Sequence, residues 1–395
     1  MKLSFLAQLF AFILSSFFCF SAVQINSEQD LLDLMNQNAP FDDWSADYEL
    51  TTDLDMSGYN STTTPATKPI GQFSNFFSGT FDGNGYVIRN LVMDSGNDHL
   101  ALFDYINNGA VIKDLGLENV EIYAGFFAAG MCIYPINSTI INCYVTGKVT
   151  AQENFAGGFC TENWNSTIKN CYASVETSGK TSVGGFVAWN TSGDIRNCFA
   201  TGDVTSTDEF AGGFCGNNYS GIYNCYSTGD VNGIDRVGGF SGLNNLDIVE
   251  NCYSTGDVSG VNNIGGFSGD CEYGDISYCY STGKVTCSNT FGGFCGEYDP
   301  GSLTCCYWNK GTSGTDDGVG SVDPDPSGVT GLSNSEFLLQ SSFSCFDFEN
   351  KTWVMAERGP ILFGLAIPTL TEWAAIAFIC LLVGTGGWYL WRNNF

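Results

Sequence analysis

One phrase recurs through the chain at a nearly constant spacing. Its clearest copies are NCYSTGDVNG at residues 224–233 and NCYSTGDVSG at residues 251–260. The cysteines of successive copies are 28 residues apart once and 27 residues apart five times, at Cys143, Cys171, Cys198, Cys225, Cys252, Cys279 and Cys306. Self-similarity at a fixed period of this length is the signature of a solenoid, in which each repeat stacks on the one before it. The chain is therefore expected to form a rod of stacked coils.

Two further markers keep step with the cysteine. A Gly-Gly-Phe group recurs, with phenylalanines at Phe159, Phe186, Phe214, Phe240, Phe267 and Phe294. An aliphatic residue stands three positions before each cysteine, at Ile140, Ile168, Ile195, Ile222, Val249, Ile276 and Leu303. These short segments, rich in β-branched and aromatic residues and broken by glycine pairs, exclude helices of ten or more residues. The predicted fold class is all-β, a parallel β-helix (β-solenoid) of about nine 27-residue coils.

The spacing within one repeat predicts a corner. In an uninterrupted strand, residues three apart point to opposite faces, yet Leu91 and Leu115 occupy the cysteine position and mark it as inward-facing. A bend must therefore separate the aliphatic residue from the cysteine, and the Asn that precedes most of the cysteines tolerates turn conformations. The seven cysteines are then expected to form a buried core ladder.

The residue after each cysteine is aromatic, and the same geometry turns it outward. The predicted outward stripe consists of Tyr144, Tyr172, Phe199, Tyr226, Tyr253, Tyr280 and Tyr307. Such a row suits contact with a carbohydrate or a protein, but it also stabilises strands through cross-strand pairing. Both interpretations stay open.

The two ends of the chain differ from the repeats. Residues 1–22 combine Lys2 with a long apolar run and predict a signal peptide. Residues 23–77 are expected to form an N-terminal cap with a helix that begins after Ser27, and residues 311–366 an acidic loop and a small C-terminal cap. Residues 374–391 carry no charge and are long enough for a transmembrane helix.

The repeat resembles a known motif. Its Gly-Phe-x-Gly core, as in Gly213-Phe214-Cys215-Gly216, is similar to the GLUG repeat of bacterial surface proteins, with Phe where Leu is usual. The resemblance covers residues 78–310. It implies a secreted or surface β-helix, often adhesin-like, and it implies no reaction.

The C-terminal segment resembles a sorting signal. The run Ile367, Pro368, Thr369, Leu370, Thr371, Glu372 and Trp373, followed by the apolar segment and Arg392, is similar to the IPTL-type tail, a relative of the PEP-type tails that exosortases handle. The resemblance implies an exosortase-type transpeptidase as partner. It also implies export through the inner membrane of a Gram-negative bacterium and a final position at the cell surface or outside the cell.

Charge and composition limit which partners and which kinds of active site are expected. With 42 acidic and 14 basic residues, the formal charge of −28 argues against nucleic acid as a partner. Some proteins with the GLUG repeat are immunoglobulin-cleaving metallopeptidases, which need a His-Glu-x-x-His helix, but His99 is the one histidine of this sequence. No cofactor and no metal site are expected.

The cysteines and carboxylates leave alternatives open. Buried thiols are the favoured interpretation of the 15 cysteines between the two ends, and a disulfide between stacked coils, such as Cys132 with Cys160, is the alternative. No carboxylate pair stands out from the repeats, so no catalytic residue is assigned. The leading hypothesis is a sorted, adhesin-like surface protein without catalysis. A β-helix polysaccharide lyase or glycosidase and a rigid spacer are the alternatives.

Overall fold

The structure is a computed structural model that describes residues 22–59, 68–94, 96, 98–299 and 301–363. Over these residues the chain winds into a parallel β-solenoid of about eleven turns, one for each strand of its first sheet. The nine coils expected from the repeat were too few. Strands at Val23–Ile25 and Tyr48–Leu50 extend the first sheet upstream of the repeats, although their sequence carries none of the repeat markers.

Four parallel sheets form the walls of the solenoid. The first sheet holds the aliphatic column, with strands Val23–Ile25, Tyr48–Leu50, Thr80–Asp82, Val111–Lys113, Thr139–Ile141, Thr167–Lys169, Asp194–Arg196, Ile222–Tyr223, Ile248–Glu250, Asp275–Ser277 and Ser302–Thr304. The second sheet follows the cysteine corner, with strands Leu54–Asp55, Val87–Arg89, Val92–Asp94, Gly116–Ala124, Tyr144–Ala151, Tyr172–Gly179, Phe199–Ala200, Val204–Ser206, Tyr226–Ser227, Val231–Asn232, Tyr253–Ser254, Val258–Gly260, Tyr280–Ser281, Val285–Cys287, Cys306–Asn309 and Val329–Leu332.

The other two walls lie on either side of the Gly-Phe-x-Gly core. The third sheet has strands His99–Leu100, Phe127–Ala129, Phe155–Gly157, Val183–Gly184, Glu209–Gly212, Asp235–Gly238, Asn262–Gly265 and Phe291–Gly292. The fourth sheet has strands Phe103–Ile106, Cys132–Pro135, Cys160–Asn163, Val187–Asn190, Cys215–Asn218, Ser241–Asn245, Ser268–Glu272 and Cys295–Tyr298.

The core consists of stacked columns, as the repeat predicts. The rings from Phe159 to Phe294 are buried and lie parallel, with centroids of neighbouring coils 4.7–4.9 Å apart. Such stacking contributes roughly 0.5–1.5 kcal/mol per pair beyond the burial of area. The predicted corner is confirmed: Asn170, Asn197 and Asn224 each have a φ of 55°, in the left-handed region that Asn tolerates.

The N-terminal segment forms the predicted helix. It spans Glu28–Asn36, and the Ser27 side chain caps it by accepting the backbone N–H of Asp30. Its apolar face, which includes Leu31 and Leu34, joins the core of the solenoid. A short 3₁₀ helix follows at Met56–Gly58.

The C-terminal segment, predicted as an acidic loop and a small cap, also forms backbone hydrogen bonds with the last coil. After a short helix at Lys310–Ser313, backbone at Asp317 and Gly318 accepts hydrogen bonds from the last coil, including one from the Phe294 N–H at 2.9 Å. Asp325 holds this stretch by accepting the N–H groups of Gly318 and Val319. These residues therefore pair with the open edge of the final coil.

The chain then folds back along the outside of the second sheet. Residues 333–363, called the C-terminal strap below, contain 3₁₀ helices at Glu336–Leu338 and Gln340–Ser342 and an antiparallel hairpin of Trp353–Ala356 with Gly359–Leu362. A disulfide between Cys305 and Cys345 ties the strap to the last coil.

Several sequence predictions fall outside the described residues. These are residues 1–21 of the predicted signal peptide, the sorting-signal residues 367–373, the predicted transmembrane helix at 374–391, and Arg392. Within the part of the chain that the structure describes, no helix has the length and apolar character needed to cross a bilayer.

Candidate functional site

The aromatic stripe predicted from the sequence lies on the outer face of the second sheet. Its rings from Tyr144 to Tyr280 stack in register, with neighbouring centroids 4.8–5.0 Å apart and planes within 5° of parallel. A parallel stack turns the faces of the rings toward each other. Solvent therefore meets mainly ring edges and hydroxyl groups.

The strap covers more than half of this stripe, which corrects the expectation that all seven rings face solvent. Tyr226, Tyr253, Tyr280 and Tyr307 are each at most 6% exposed. They pack against apolar side chains of the strap, namely Phe337, Phe343, Phe346, Trp353 and Leu362. These four rings are part of a second, smaller core and are not an open binding surface.

The uncovered part of the stripe consists of Tyr144, Tyr172 and Phe199, all half-buried. The Tyr144 hydroxyl donates to Glu118 at 2.8 Å, and Arg89 donates to the other oxygen of the same carboxylate at the same distance. Burial raises the pKa of Tyr144 above its ordinary value. The hydroxyl of Tyr144 is thus already engaged. Because Tyr144, Tyr172 and Phe199 stack face to face, this part of the stripe also offers little to a ligand that stacks on ring faces.

The seven repeat cysteines form the predicted ladder in the core, and all are buried. The backbone N–H of Cys143 donates to the sulfur of Cys171 in the next coil at 3.4 Å, and the same contact recurs four more times, up to Cys279. Burial raises the pKa of these thiols, which disfavours the reactive thiolate. The ladder is therefore structural.

The alternative disulfide proposed from the sequence is absent. Cys132 and Cys160 are paired in register, but the structure holds both as buried thiols. Among the described cysteines the bonded pair is Cys305 with Cys345. Sequence reasoning missed it because Cys345 lies outside the repeat.

One column of the repeat changes its residue type at almost every coil and includes aromatic, acidic, amide and aliphatic side chains. It lies on the fourth sheet, three positions after the core phenylalanine of a coil, and we call it the variable column. Strand register places its members one above another: Tyr105, Tyr134, Glu162, Trp189, Asn217, Leu243, Asp270 and Glu297. Packing of equivalent coils alone does not require this variety.

The N-terminal part of the variable column gathers aromatic and acidic side chains. Tyr105 and Tyr134 stack with centroids 4.6 Å apart, and the His99 ring lies 5.5 Å from Tyr134. His99 Nδ1 is 3.1 Å from the Asp104 carboxylate. We call this group, together with Glu162 and Trp164, the aromatic–acid cluster.

Trp164 presents the most accessible large ring of the cluster, with 43% of its surface exposed. Its indole nitrogen donates to Glu162 Oε2 at 2.9 Å, which fixes the orientation of the ring. Burial raises the pKa of Glu162, and the bond from Trp164 partly offsets this shift. Burial also raises the pKa of Tyr105 to about 12, so its hydroxyl stays protonated at neutral pH.

The aromatic surface continues into the next coils. Trp189 lies 5.3 Å from Phe155 and 5.9 Å from Tyr219, measured between ring centroids. Its buried indole nitrogen has no hydrogen-bond partner. The period alone does not reveal this surface, because the surface depends on residues that differ from coil to coil.

Comparison with known proteins supports the repeat and the fold. The GLUG motif matches residues 179–205 and 211–232. Halomucin of Haloquadratum walsbyi is 34% identical over 128 residues, which cover 31% of this chain and 1% of halomucin. The chain thus spans a very small part of that curated relative.

Two solved structures were found to match this chain. A protein from Bacteroides ovatus, described as a candidate immunoglobulin A1 protease, is 19% identical with a TM-score of 0.53, and the match covers 88% of this chain and 93% of that one. A second structure, an IgA1 protease, is 16% identical with a TM-score of 0.46 and covers 73% of this chain and 21% of that one. At this identity the first likeness shows a shared fold alone.

Proposed function

We propose that this GLUG-motif β-solenoid is an exported, adhesin-like surface protein that binds neutral polysaccharide through the aromatic–acid cluster. The observation that carries the proposal is the exposed ring of Trp164, which donates a hydrogen bond to Glu162, one coil along from a stacked tyrosine pair. Aromatic faces suit the apolar faces of sugar rings, and nearby carboxylates accept hydrogen bonds from sugar hydroxyls.

The negative charge of the protein favours uncharged glycans over anionic ones. The chain carries a formal charge of −28, and the cluster itself contains Asp104 and Glu162. Anionic polymers would be repelled, so the ligand is proposed to be uncharged. A panel of soluble neutral and anionic polysaccharides tests this by direct titration: binding to a neutral polymer supports the proposal, and binding confined to anionic polymers contradicts it.

The C-terminal tail is proposed to deliver the protein to the surface. Its resemblance to IPTL-type signals supports recognition and cleavage by an exosortase-type transpeptidase after export. Mass spectrometry of surface material tests this part separately. Recovery of a tail intact through Phe395 would contradict it without bearing on glycan binding.

A glycosidase or lyase is the second candidate, favoured by one specific observation. Burial raises the pKa of Glu162 in the same cluster as Asp104 and His99, and a carboxyl group with a raised pKa is suited to act as a general acid. Product analysis over the same panel separates the candidates. Turnover that Glu162→Gln abolishes would replace the binding proposal with an enzymatic one.

A further inference from the structure

Two buried cysteines outside the repeat ladder lie against each other near the C-terminal end of the solenoid. Cys271 belongs to the fourth-sheet strand Ser268–Glu272, and Cys295 begins the next strand of that sheet, paired in register with Ser268. Both side chains are at most 4% exposed. The structure holds both as thiols, as it does Cys132 and Cys160, but here the two sulfur atoms are only 2.7 Å apart.

This separation is too short for two thiols packed side by side. Even carbon atoms in contact lie about 3.5–4.0 Å apart, and sulfur is larger, whereas bonded sulfurs lie about 2.05 Å apart. Cys295 Sγ is also only 2.8 Å from the Glu297 carbonyl oxygen, and its single S–H cannot donate to both neighbours. By comparison, the ladder sulfurs of Cys171 and Cys198 lie 3.2 Å from the carbonyl oxygen two residues before them.

The surrounding sequence pattern supports a special role for Cys271. Buried asparagines form a chain of amide hydrogen bonds through four coils, at Asn163, Asn190, Asn218 and Asn244. Cys271 takes the next position in register, where a fifth asparagine would continue the chain. As a result Asn244 Nδ2 is buried without a partner. Cys271 thus ends the asparagine chain at the coil in which its sulfur contacts Cys295.

A shared metal ion does not account for the contact. Two thiolates on one zinc ion each need a bond of about 2.3 Å, which holds the sulfurs much farther apart than 2.7 Å. No group of three or more metal-binding side chains occurs in residues 22–363 as far as these are described.

We propose that Cys271 and Cys295 form a second disulfide, which joins two successive coils beside the C-terminal end of the solenoid. The two thiols each lose a proton and together lose two electrons as the sulfur–sulfur bond forms. A small disulfide such as oxidised glutathione accepts the electrons and protons, and its own bond breaks to give two thiols.

The position of the pair dictates when the bond forms. Both sulfurs are buried, and burial raises the pKa of Cys295, so neither an oxidant nor a thiolate is readily available in the folded coil. The bond therefore forms during folding, before the last coils close over the pair. It does not depend on glycan binding or on the sorting tail.

Disulfide mapping of the full chain tests the proposal. The reduced, unfolded chain is refolded in detergent with reduced and oxidised glutathione, alkylated in denaturant without reduction, and digested. We expect a linked peptide pair containing Cys271 and Cys295, lighter by two hydrogens than the two free peptides, beside the pair containing Cys305 and Cys345. Alkylation of both Cys271 and Cys295 in material whose Cys305–Cys345 bond is intact would overturn the proposal.

Two variants sharpen the result. Cys271→Asn offers Asn244 the missing partner and should leave Cys295 as one additional alkylated thiol. Cys215→Ser is the matched control, because Cys215 shares the column of Cys295 and pairs in register with Ser241. It should leave the linked pair unchanged. A linked pair that persists between Cys295 and another cysteine in Cys271→Asn would show non-specific oxidation and would also overturn the proposal.

Discussion

Trp353 donates a hydrogen bond from its indole nitrogen to Asn251 Oδ1 at 3.1 Å, across 102 residues of chain. In earlier coils the side-chain oxygen of the corner asparagine accepts the amide of the next corner, as Asn170 does from Asn197 and Asn197 from Asn224. The residue at the next corner is Tyr278, which has no side-chain amide to donate to Asn251. The strap thus docks on the last asparagine of the corner column, whose own amide donates to Glu250 instead of Asn224.

Replacing Trp353 should loosen the strap, and two variants separate the contribution of its ring from that of its hydrogen bond. Trp353 is fully buried and stacks on Phe346 at 4.5 Å. Trp353→Ala should lower the free energy of unfolding by about 3–5 kcal/mol because it leaves a cavity. Trp353→Phe keeps much of the ring and should cost less, with about 1 kcal/mol from the lost hydrogen bond. Urea denaturation gives both values.

Hydrogen exchange locates the effect of these changes. In Trp353→Ala, amide protection should fall across the strap and remain in the coils before Tyr226. Equal loss of protection throughout the solenoid would mean that the strap is not a separate unit of stability.

The Cys305–Cys345 disulfide should stabilise the same region. Its removal in the double variant Cys305→Ser, Cys345→Ser frees a loop of 40 residues and should cost about 3–4 kcal/mol in the chain-entropy account. Chemical denaturation measures this cost. Cys287→Ser is the control, since Cys287 is a partly exposed free thiol. A stability unchanged from that of the control would show that the strap holds without its covalent tie.

Asp270 makes stability depend on pH. It is 2% exposed, Arg236 Nε donates to its Oδ2 at 3.1 Å, and its Oδ1 has no partner. Burial raises the pKa of Asp270 to about 7, and repulsion from Glu272 and Glu297 adds to the shift. The folded state therefore binds the proton more tightly than the unfolded chain does.

The sign of the effect follows from this shift. The contribution of Asp270 to stability is complete below its ordinary pKa and is lost as the pH rises toward 7. Asp270→Asn should be more stable than the parent protein at pH 8 by about 2–4 kcal/mol, and the difference should shrink toward pH 4. Thermal melts at both pH values measure it. A difference that does not vary with pH would contradict the assignment of this pKa.

The repeat allowed the coil to be predicted, because each residue of a stacked coil packs against the equivalent residue of the next coil. The Phe column, the cysteine ladder and the asparagine corners all followed from spacing. The burial of Tyr226 to Tyr307 did not, since the strap has no period and nothing local indicates where Trp353 docks. Similarly, the aromatic–acid cluster depends on residues that differ between coils, and a repeat pattern does not predict residues that do not repeat.

Titration of a neutral polysaccharide into the protein and into Trp164→Ala tests the central claim most directly. Trp164 is 43% exposed, so its removal should leave the fold intact, and Tyr172→Ser on the tyrosine stripe is the matched control. We expect Trp164→Ala to bind at least about tenfold more weakly, equivalent to about 1.4 kcal/mol, and Tyr172→Ser to bind like the parent protein. Unchanged affinity in Trp164→Ala, or loss of binding only in Tyr172→Ser, would contradict the account.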